Sequence, residues 1–182
     1  MIVERTFFDE NVMSGGDWQA LELAVVRLLV HCGWENIQYV GGSGDKGADI
    51  LAVRYNGKNN KNESYLFQVK AITSASYVGV SAINQAIVGQ SYYRAKIIVV
   101  ATNGEFTNSA YKRRDQLNRE GFNIRLWNGS FLQQLIGRWD NYGSDKRPLR
   151  NYQSNIIDLV KKCHESNRSK ALFVVATGLG KT

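Results

Sequence analysis

Residues 41–71 read GGSGDKGADILAVRYNGKNNKNESYLFQVKA, and three kinds of segment follow one another within them. A glycine-rich turn ends at Ala48. A mostly apolar strand opens on Asp49 and runs to Tyr55, and Asn56-Gly57 starts a polar connection through Glu63 of the kind that reverses a chain. Residues 64–71 read as the partner strand. Strand residues two apart share a face, so Leu66, Gln68 and Lys70 point one way while Phe67 and Val69 point the other. A hairpin of these strands brings Asp49 beside Gln68 and Lys70. A carboxylate, an amide oxygen and an ammonium meeting at one place suggest a metal site for phosphodiester chemistry. The plainer reading makes Asp49 a strand-edge acid and Lys70 a solvated strand lysine.

Before this stretch, residues 1–14 carry no period. Asp17 then offers an N-cap, and Trp18, Leu21, Val25, Leu28, Leu29 and Cys32 recur at helical spacing until Gly33. Glu22 falls at the margin of that apolar face, where a boundary glutamate with its head in water is the plain alternative to a site residue. Residues 34–40 read as a short strand. After the hairpin, residues 73–79 form a loop, and a helix over 80–95 presents Val80, Ile83, Ile87 and Val88 on one side. Residues 96–102, KIIVVAT, are apolar enough for a strand buried on both faces. Thr107 caps a helix through Glu120, residues 123–127 form another strand, and Asn128-Gly129-Ser130 opens a helix through Trp139. One helix, three antiparallel-capable strands, then alternating strand and helix predict an α/β fold with a mixed central sheet flanked by helices.

A chain of 182 residues with 43% hydrophobic and 21% charged residues fits a globular protein with one domain and part of another. No apolar run reaches a transmembrane length, and the first residues do not resemble a signal peptide. The two cysteines, Cys32 and Cys163, match no zinc spacing and read as reduced thiols in a cytoplasmic protein. His31 has no partner pattern and reads as structural. Charge is uneven: residues 1–70 hold 7 Lys/Arg against 9 Asp/Glu, and residues 71–182 hold 16 against 7. An acidic half able to hold a cation beside a basic half able to hold phosphates suits a nucleic-acid enzyme. Lys58, Lys61, Lys112, Arg113 and Arg114 are the candidate DNA contacts, each weighed against an ordinary solvated cation.

Phosphodiester cleavage needs an activated water and compensation of charge on the phosphoryl oxygens. Mg²⁺ held by one or two carboxylates supplies both, and a neighbouring lysine adds charge and positions water. Asp49, Gln68 and Lys70, with Glu22 nearby, meet that requirement, although a neutral Gln68 is a weaker ligand than an acid. In order along the chain stand Trp18-Gln-Ala-Leu-Glu22, Gly44-Asp-Lys-Gly-Ala-Asp49-Ile, Phe67-Gln68-Val69-Lys70, Ile97-Ile-Val-Val-Ala-Thr102, Phe106-Thr107-Asn108-Ser109-Ala110 and Ile124-Arg-Leu-Trp127. This series resembles the Mrr-type branch of the PD-(D/E)xK nuclease superfamily, with its restriction-endonuclease-like fold. The resemblance implies that Asp49 is a metal ligand, that Gln68 fills a position taken by a carboxylate or an amide, and that Lys70 is the catalytic lysine. It further implies that Glu22 is the glutamate of the first helix, that the Val69 carbonyl contributes to the metal, and that Mg²⁺ and double-stranded DNA are cofactor and partner. Asp45, in the same turn, receives no ligand role.

Residues 140–148, DNYGSDKRP, read as a polar linker, which gives a nuclease domain over 1–140, a linker over 141–148 and a further segment over 149–182. That segment holds Ala176-Thr177-Gly178-Leu179-Gly180-Lys181-Thr182, preceded by Arg150-Asn-Tyr-Gln153. These resemble motif I and the adenine-reading Q motif of superfamily-two helicases. The resemblance implies that Gln153 reads adenine, that Gly178, Gly180 and Lys181 contact phosphate, and that Thr182 helps hold Mg²⁺. ATP is therefore expected as a ligand only of a longer parent protein. Two expectations follow: a Mg²⁺-dependent DNA endonuclease domain of a restriction-type helicase, or a catalytically silent DNA-binding module serving an ATP-dependent translocase. Two-strand cleavage usually needs two active sites, which leaves a homodimer open.

Overall fold

Ten residues, Lys61–Lys70, form the longest strand, β3, and the sheet is built outward from it. The computed structural model describes residues 8, 10–42, 46–73 and 76–137, with four helical positions at 156, 158, 159 and 162. The chain divides into two compact units, Met1–Asp140 and Asn141–Thr182. Gln153, Gly178, Gly180, Lys181 and Thr182, the expected nucleotide-binding residues, lie outside the described residues.

In chain order the first unit contains α1 (Glu10–Met13), α2 (Trp18–His31), β1 (Glu35–Tyr39), β2 (Ile50–Asn56), β3, β4 (Tyr77–Val78) and α3 (Val80–Tyr93). Then follow β5 (Ile97–Thr102), β6 (Glu105–Phe106), α4 (Asn108–Arg119), β7 (Ile124–Trp127) and α5 (Gly129–Gly137). The main sheet runs β1-β2-β3-β5-β7. Its first three strands are antiparallel neighbours, whereas β3, β5 and β7 run parallel. The expected mixed α/β sheet is therefore present. A small parallel pair, β4 with β6, accompanies it.

Strand alternation divides the core between the two faces. Phe67, Val69, Val99 and Trp127 meet Leu21, Val25, Leu28 and Leu29 of α2 and Leu132 of α5. Leu66, Ile98 and Val100 meet Ala82, Ile83 and Ala86 of α3 with Ala110 and Leu117 of α4. Every residue of β5 is buried, as its unbroken apolar run requires. Truncating Ile98, fully enclosed here, is of the kind that costs about 2–5 kcal/mol through lost burial and the cavity left behind.

The helix boundaries follow their caps. The Asp17 side chain accepts from Ala20 N at 3.1 Å, and Thr107 accepts from Ala110 N at 3.2 Å. Three expectations need correction. The polar connection after β2 is shorter than expected, because β3 begins at Lys61: buried Glu63 gathers Asn56, Asn59 and Lys96 and draws polar residues into the ladder. On α3 the buried face is Ala82, Ile83, Ala86 and Gly89, and Val88 is exposed. Small residues there let the helix approach the glycine-rich turn. Trp18, the first residue of α2, is half exposed instead of buried.

Candidate active site

The register of the hairpin places Ile50 opposite Phe67, so Asp49 stands opposite Gln68. Main-chain bonds hold Asp49 from both sides: its N–H donates to Phe67 O at 2.8 Å, and its carbonyl accepts from Val40 N at 2.8 Å and Gly41 N at 3.0 Å. The turn before it is fixed by close contact with α3. Gly47 has φ +83°, and a Cβ there would lie 2.1 Å from Gln85 O. Only glycine fits both the left-handed backbone and the space.

Asp49 and Gln68 are each 2% exposed. Asp49 Oδ2 accepts from Gln68 Nε2 and from Val69 N, both at 2.6 Å. The Gln68 amide therefore turns its nitrogen to the carboxylate, and its Oε1 is buried without a hydrogen-bond partner among the described residues. An orphaned buried oxygen is costly unless something else satisfies it. Lys70, two residues along the same face, is partly buried and opposite Thr102 of β5. It makes no ion pair among the described residues. The exit of β3 beyond it is clamped by Asn103, whose Oδ1 accepts from Ile72 N at 2.8 Å while Nδ2 donates to Ile72 O at 2.7 Å and Met13 O at 2.9 Å.

Glu22 is buried at 4% exposure, so its head is not in water as a boundary residue's would be. Its Oε2 accepts from the Tyr39 hydroxyl at 2.6 Å. That bond, followed by desolvation and the charges of Glu22 and Asp49, pushes the Tyr39 phenol up to about 12. One phenol thus lies within electrostatic reach of both carboxylates. A side chain at Gly41 would intrude on the same spot, its Cβ 2.9 Å from Glu22 Oε2 and 3.0 Å from the Tyr39 ring. Tyr39 and Asn103 escaped the sequence reading. A tyrosine two residues before a glycine-rich turn was the only trace of the first, and nothing marked the second.

No group of three or more His, Cys, Asp or Glu side chains gathers at metal-binding range among the described residues. Two acids and an amide oxygen still suit Mg²⁺, which keeps several waters and takes few protein ligands. Val69 engages Asp49 through its N–H; a ligand role for its carbonyl is a separate matter. Of the candidate DNA contacts, Lys112 is exposed on α4, and Arg113 is partly buried beside it. Arg114 pairs with Asp115 at 2.7 Å and stacks on Tyr111 with 5.4 Å to the ring centre. The helix that carries them begins where β5 ends, at the same end of the sheet as Lys70. Lys58 and Lys61 occupy the opposite end of the β2–β3 hairpin, roughly 25 Å from Asp49 at strand rise. No helix among the described residues is long and apolar enough to cross a membrane.

A mixed sheet with Asp49 just before β2 and Gln68 and Lys70 at the carboxyl end of β3 has the plan of a restriction-endonuclease-like nuclease domain. Residues 13–136 match the Mrr catalytic family, described as restriction endonuclease, and the chain belongs to that family. The fold is similar to that of the MspJI restriction endonuclease in complex with a 27-mer oligonucleotide, at 19% identity and a TM-score of 0.50 over 93% of this chain and 35% of that one. It is also similar to the DNA modification-dependent restriction endonuclease AspBHI, at 12% identity and a TM-score of 0.54 over 86% of this chain and 38% of that one. The restriction endonuclease FokI matches at 13% identity and a TM-score of 0.54, over 81% of this chain and 29% of that one. The chain therefore spans well under half the length of these structures, and at such identities the likeness is one of fold. None of the curated proteins matches the sequence.

Proposed function

We propose that this domain is a Mg²⁺-dependent endonuclease of double-stranded DNA, with Asp49, Gln68, Lys70 and Glu22 as its cutting centre. The observation that carries the reading is the buried, unpartnered Gln68 Oε1 beside the Asp49 carboxylate. A cation satisfies that oxygen and draws on the carboxylate next to it, which explains why the chain tolerates an orphaned acceptor there. Asp49 and Gln68 Oε1 would hold the metal, Glu22 would supply a second negative charge, and the Val69 carbonyl would add a neutral ligand. When bound, Mg²⁺ supplies a Lewis acid for the phosphodiester and lowers the pKa of water.

The protein's own contribution is placement. Lys70, reaching past the buried pair from the same strand face, holds a water for in-line attack and offsets charge developing on the phosphoryl oxygens. Tyr39 donates to Glu22 and fixes that carboxylate's orientation. Lys112, Arg113 and Arg114 on α4 contact the DNA backbone near the cutting centre, whereas Lys58 and Lys61 serve only a duplex long enough to reach the far end of the hairpin. Binding through such phosphate contacts weakens steeply with salt.

The domain over 1–140 is read as part of a longer cytoplasmic restriction protein, joined through 141–148 to a superfamily-two ATPase beginning at 149. In that protein Gln153, Gly178, Gly180, Lys181 and Thr182 bind ATP, and cutting both strands calls for a homodimer or two successive nicks. Plasmid nicking in Mg²⁺ tests the cutting centre: wild type should nick, and Asp49→Ala and Lys70→Ala should not. Equal nicking by all three would remove the assignment.

One observation favours a second reading, a DNA-gripping module without cleavage. Gln68 is neutral where an acid would bind metal more strongly, and no cluster of three ligating acids is present among the described residues. Salt-dependent duplex binding with no nicking in Mg²⁺ or Mn²⁺ would establish that alternative.

A further inference from the structure

On the sheet face opposite Gln68 and Lys70, between α2 and α5, lies a cavity of about 410 Å³. That volume is at the small end of the range for ligand pockets. Trp34, Trp127 and Phe131 give it aromatic walls, and Leu28, Leu29, Cys32 and Leu135 add to the apolar part. Arg54 from β2 and Arg125 from β7 also line it. Among the described residues no acidic side chain lines it.

The two arginines are unusual in what they lack. Neither is in an ion pair among the described residues, where the salt bridges are Lys96–Glu63 and Arg114–Asp115. Each instead lies over a ring: Arg54 is 5.0 Å from the centre of Trp34 and Arg125 is 5.4 Å from that of Tyr65. Stacking fixes the plane of a guanidinium while leaving its N–H edge able to donate. Both side chains are exposed, so the donors reach the cavity mouth at no cost in burial. Two unneutralised forks at the mouth and aromatic walls behind them select a ligand with a planar aromatic body and an anionic group.

We infer that this cavity binds a nucleotide unit, its base against Phe131 and the exposed edges of Trp34 and Trp127 and its phosphate on Arg54 and Arg125. The site is separate from the cutting centre, whose Asp49, Gln68 and Lys70 lie on the other sheet face, with Glu22 reaching them from the early part of α2. Its volume admits one base and its phosphate, whether as a free 5′-mononucleotide or as one nucleotide of a single strand. The two guanidinium groups turn away cations, and the apolar walls turn away bare phosphate. Nothing in this inference depends on whether the cutting centre is active.

Two of the chain's tryptophans line the cavity, so intrinsic fluorescence reads occupancy directly. The 182-residue chain is titrated separately with deoxyadenosine and deoxythymidine 5′-monophosphates, with a single-stranded dodecamer, and with inorganic phosphate. A saturable change is expected with the mononucleotides or the dodecamer, and which of the two responds identifies the source of the ligand. Arg54→Gln and Arg125→Gln should each weaken it at least tenfold, and Arg54→Lys should lie between, since it keeps charge but loses the fork. Circular dichroism melts check that these surface variants fold. Asp49→Asn should titrate like wild type, because that residue belongs to the other site. The inference is overturned if no nucleotide gives a saturable change, if the arginine variants titrate like wild type, or if Asp49→Asn abolishes the response. A response to inorganic phosphate as strong as that to nucleotide overturns it as well, since the aromatic walls would then have no part.

Discussion

Each end of the β2–β3 hairpin buries a carboxylate, and the two are treated in opposite ways. Glu63, at the turn end, is 5% exposed and both of its oxygens are taken: Oε1 accepts from Lys96 Nζ at 2.6 Å and Asn59 at 3.0 Å, and Oε2 from Asn56 at 3.0 Å. The Lys96 bond, then those from Asn59 and Asn56, hold its pKa down at about 2. Asp49, at the other end, is bound by the Gln68 amide and the Val69 N–H, and Gln68 leaves its own Oε1 buried without a partner. A saturated acid closes a turn. An acid set beside an unsatisfied acceptor suits a ligand the chain does not supply, and the contrast sets a structural carboxylate against the one proposed to work, on the same pair of strands.

The contrast breaks most sharply under substitution at the open end. Asp49→Asn or Lys70→Ala should lower Mg²⁺-dependent cleavage by roughly 10³-fold while leaving the melting temperature nearly unchanged. Glu63→Gln should do the reverse, and a comparison of initial nicking rates with thermal melts checks both. Tyr39→Phe removes the hydroxyl that orients Glu22, so the Mg²⁺ concentration for half-maximal cleavage should rise by about tenfold or somewhat more. Gln68→Glu sets a second carboxylate against Asp49. Its melting temperature without metal should fall through like-charge repulsion, and its half-maximal Mg²⁺ should drop about tenfold, because an ionised ligand replaces a neutral one.

The smallest effect is at the saturated end. Glu63→Gln should cost a few degrees of melting temperature at pH 7, from hydrogen bonds to a charged acceptor lost with the charge. The pH dependence has a definite sign. The folded-state pKa of Glu63 is depressed from 4.5 to about 2, so its contribution is complete above about pH 4.5 and fades as pH falls toward 2. The difference in melting temperature between wild type and Glu63→Gln should shrink through that window, and a constant difference would show that the ion pair is not its source.

Much of this frame was legible in the residues because the signals were local. The Asp17 and Thr107 caps, the unbroken apolar run of β5 and the alternation of β3 each depend on near neighbours, and with them came the pairing of Asp49 with Gln68. What escaped depends on partners far along the chain. The start of β3 was hidden because polar residues join a strand only when Glu63 collects them around Lys96. The face of α3 was misplaced because periodicity favours Val88, whereas packing against the turn at Gly47 demands Ala86 and Gly89. Glu22 was expected at the site from the family resemblance, but its burial and its hydrogen bond from Tyr39 of β1 left no local signal. The expected helicase residues lie outside the described residues, and their part in the protein rests on motif resemblance.

The central claim is that the Asp49 end holds a divalent cation, and a cleavage-independent measurement reaches it most directly. Thermal melts with increasing Mg²⁺ should show wild type stabilised, by about 2.7 kcal/mol at a hundredfold excess over Kd. Asp49→Asn should show almost none of that gain, and Glu63→Gln should keep all of it. An equal gain in wild type and Asp49→Asn, or no gain in wild type, would contradict the account.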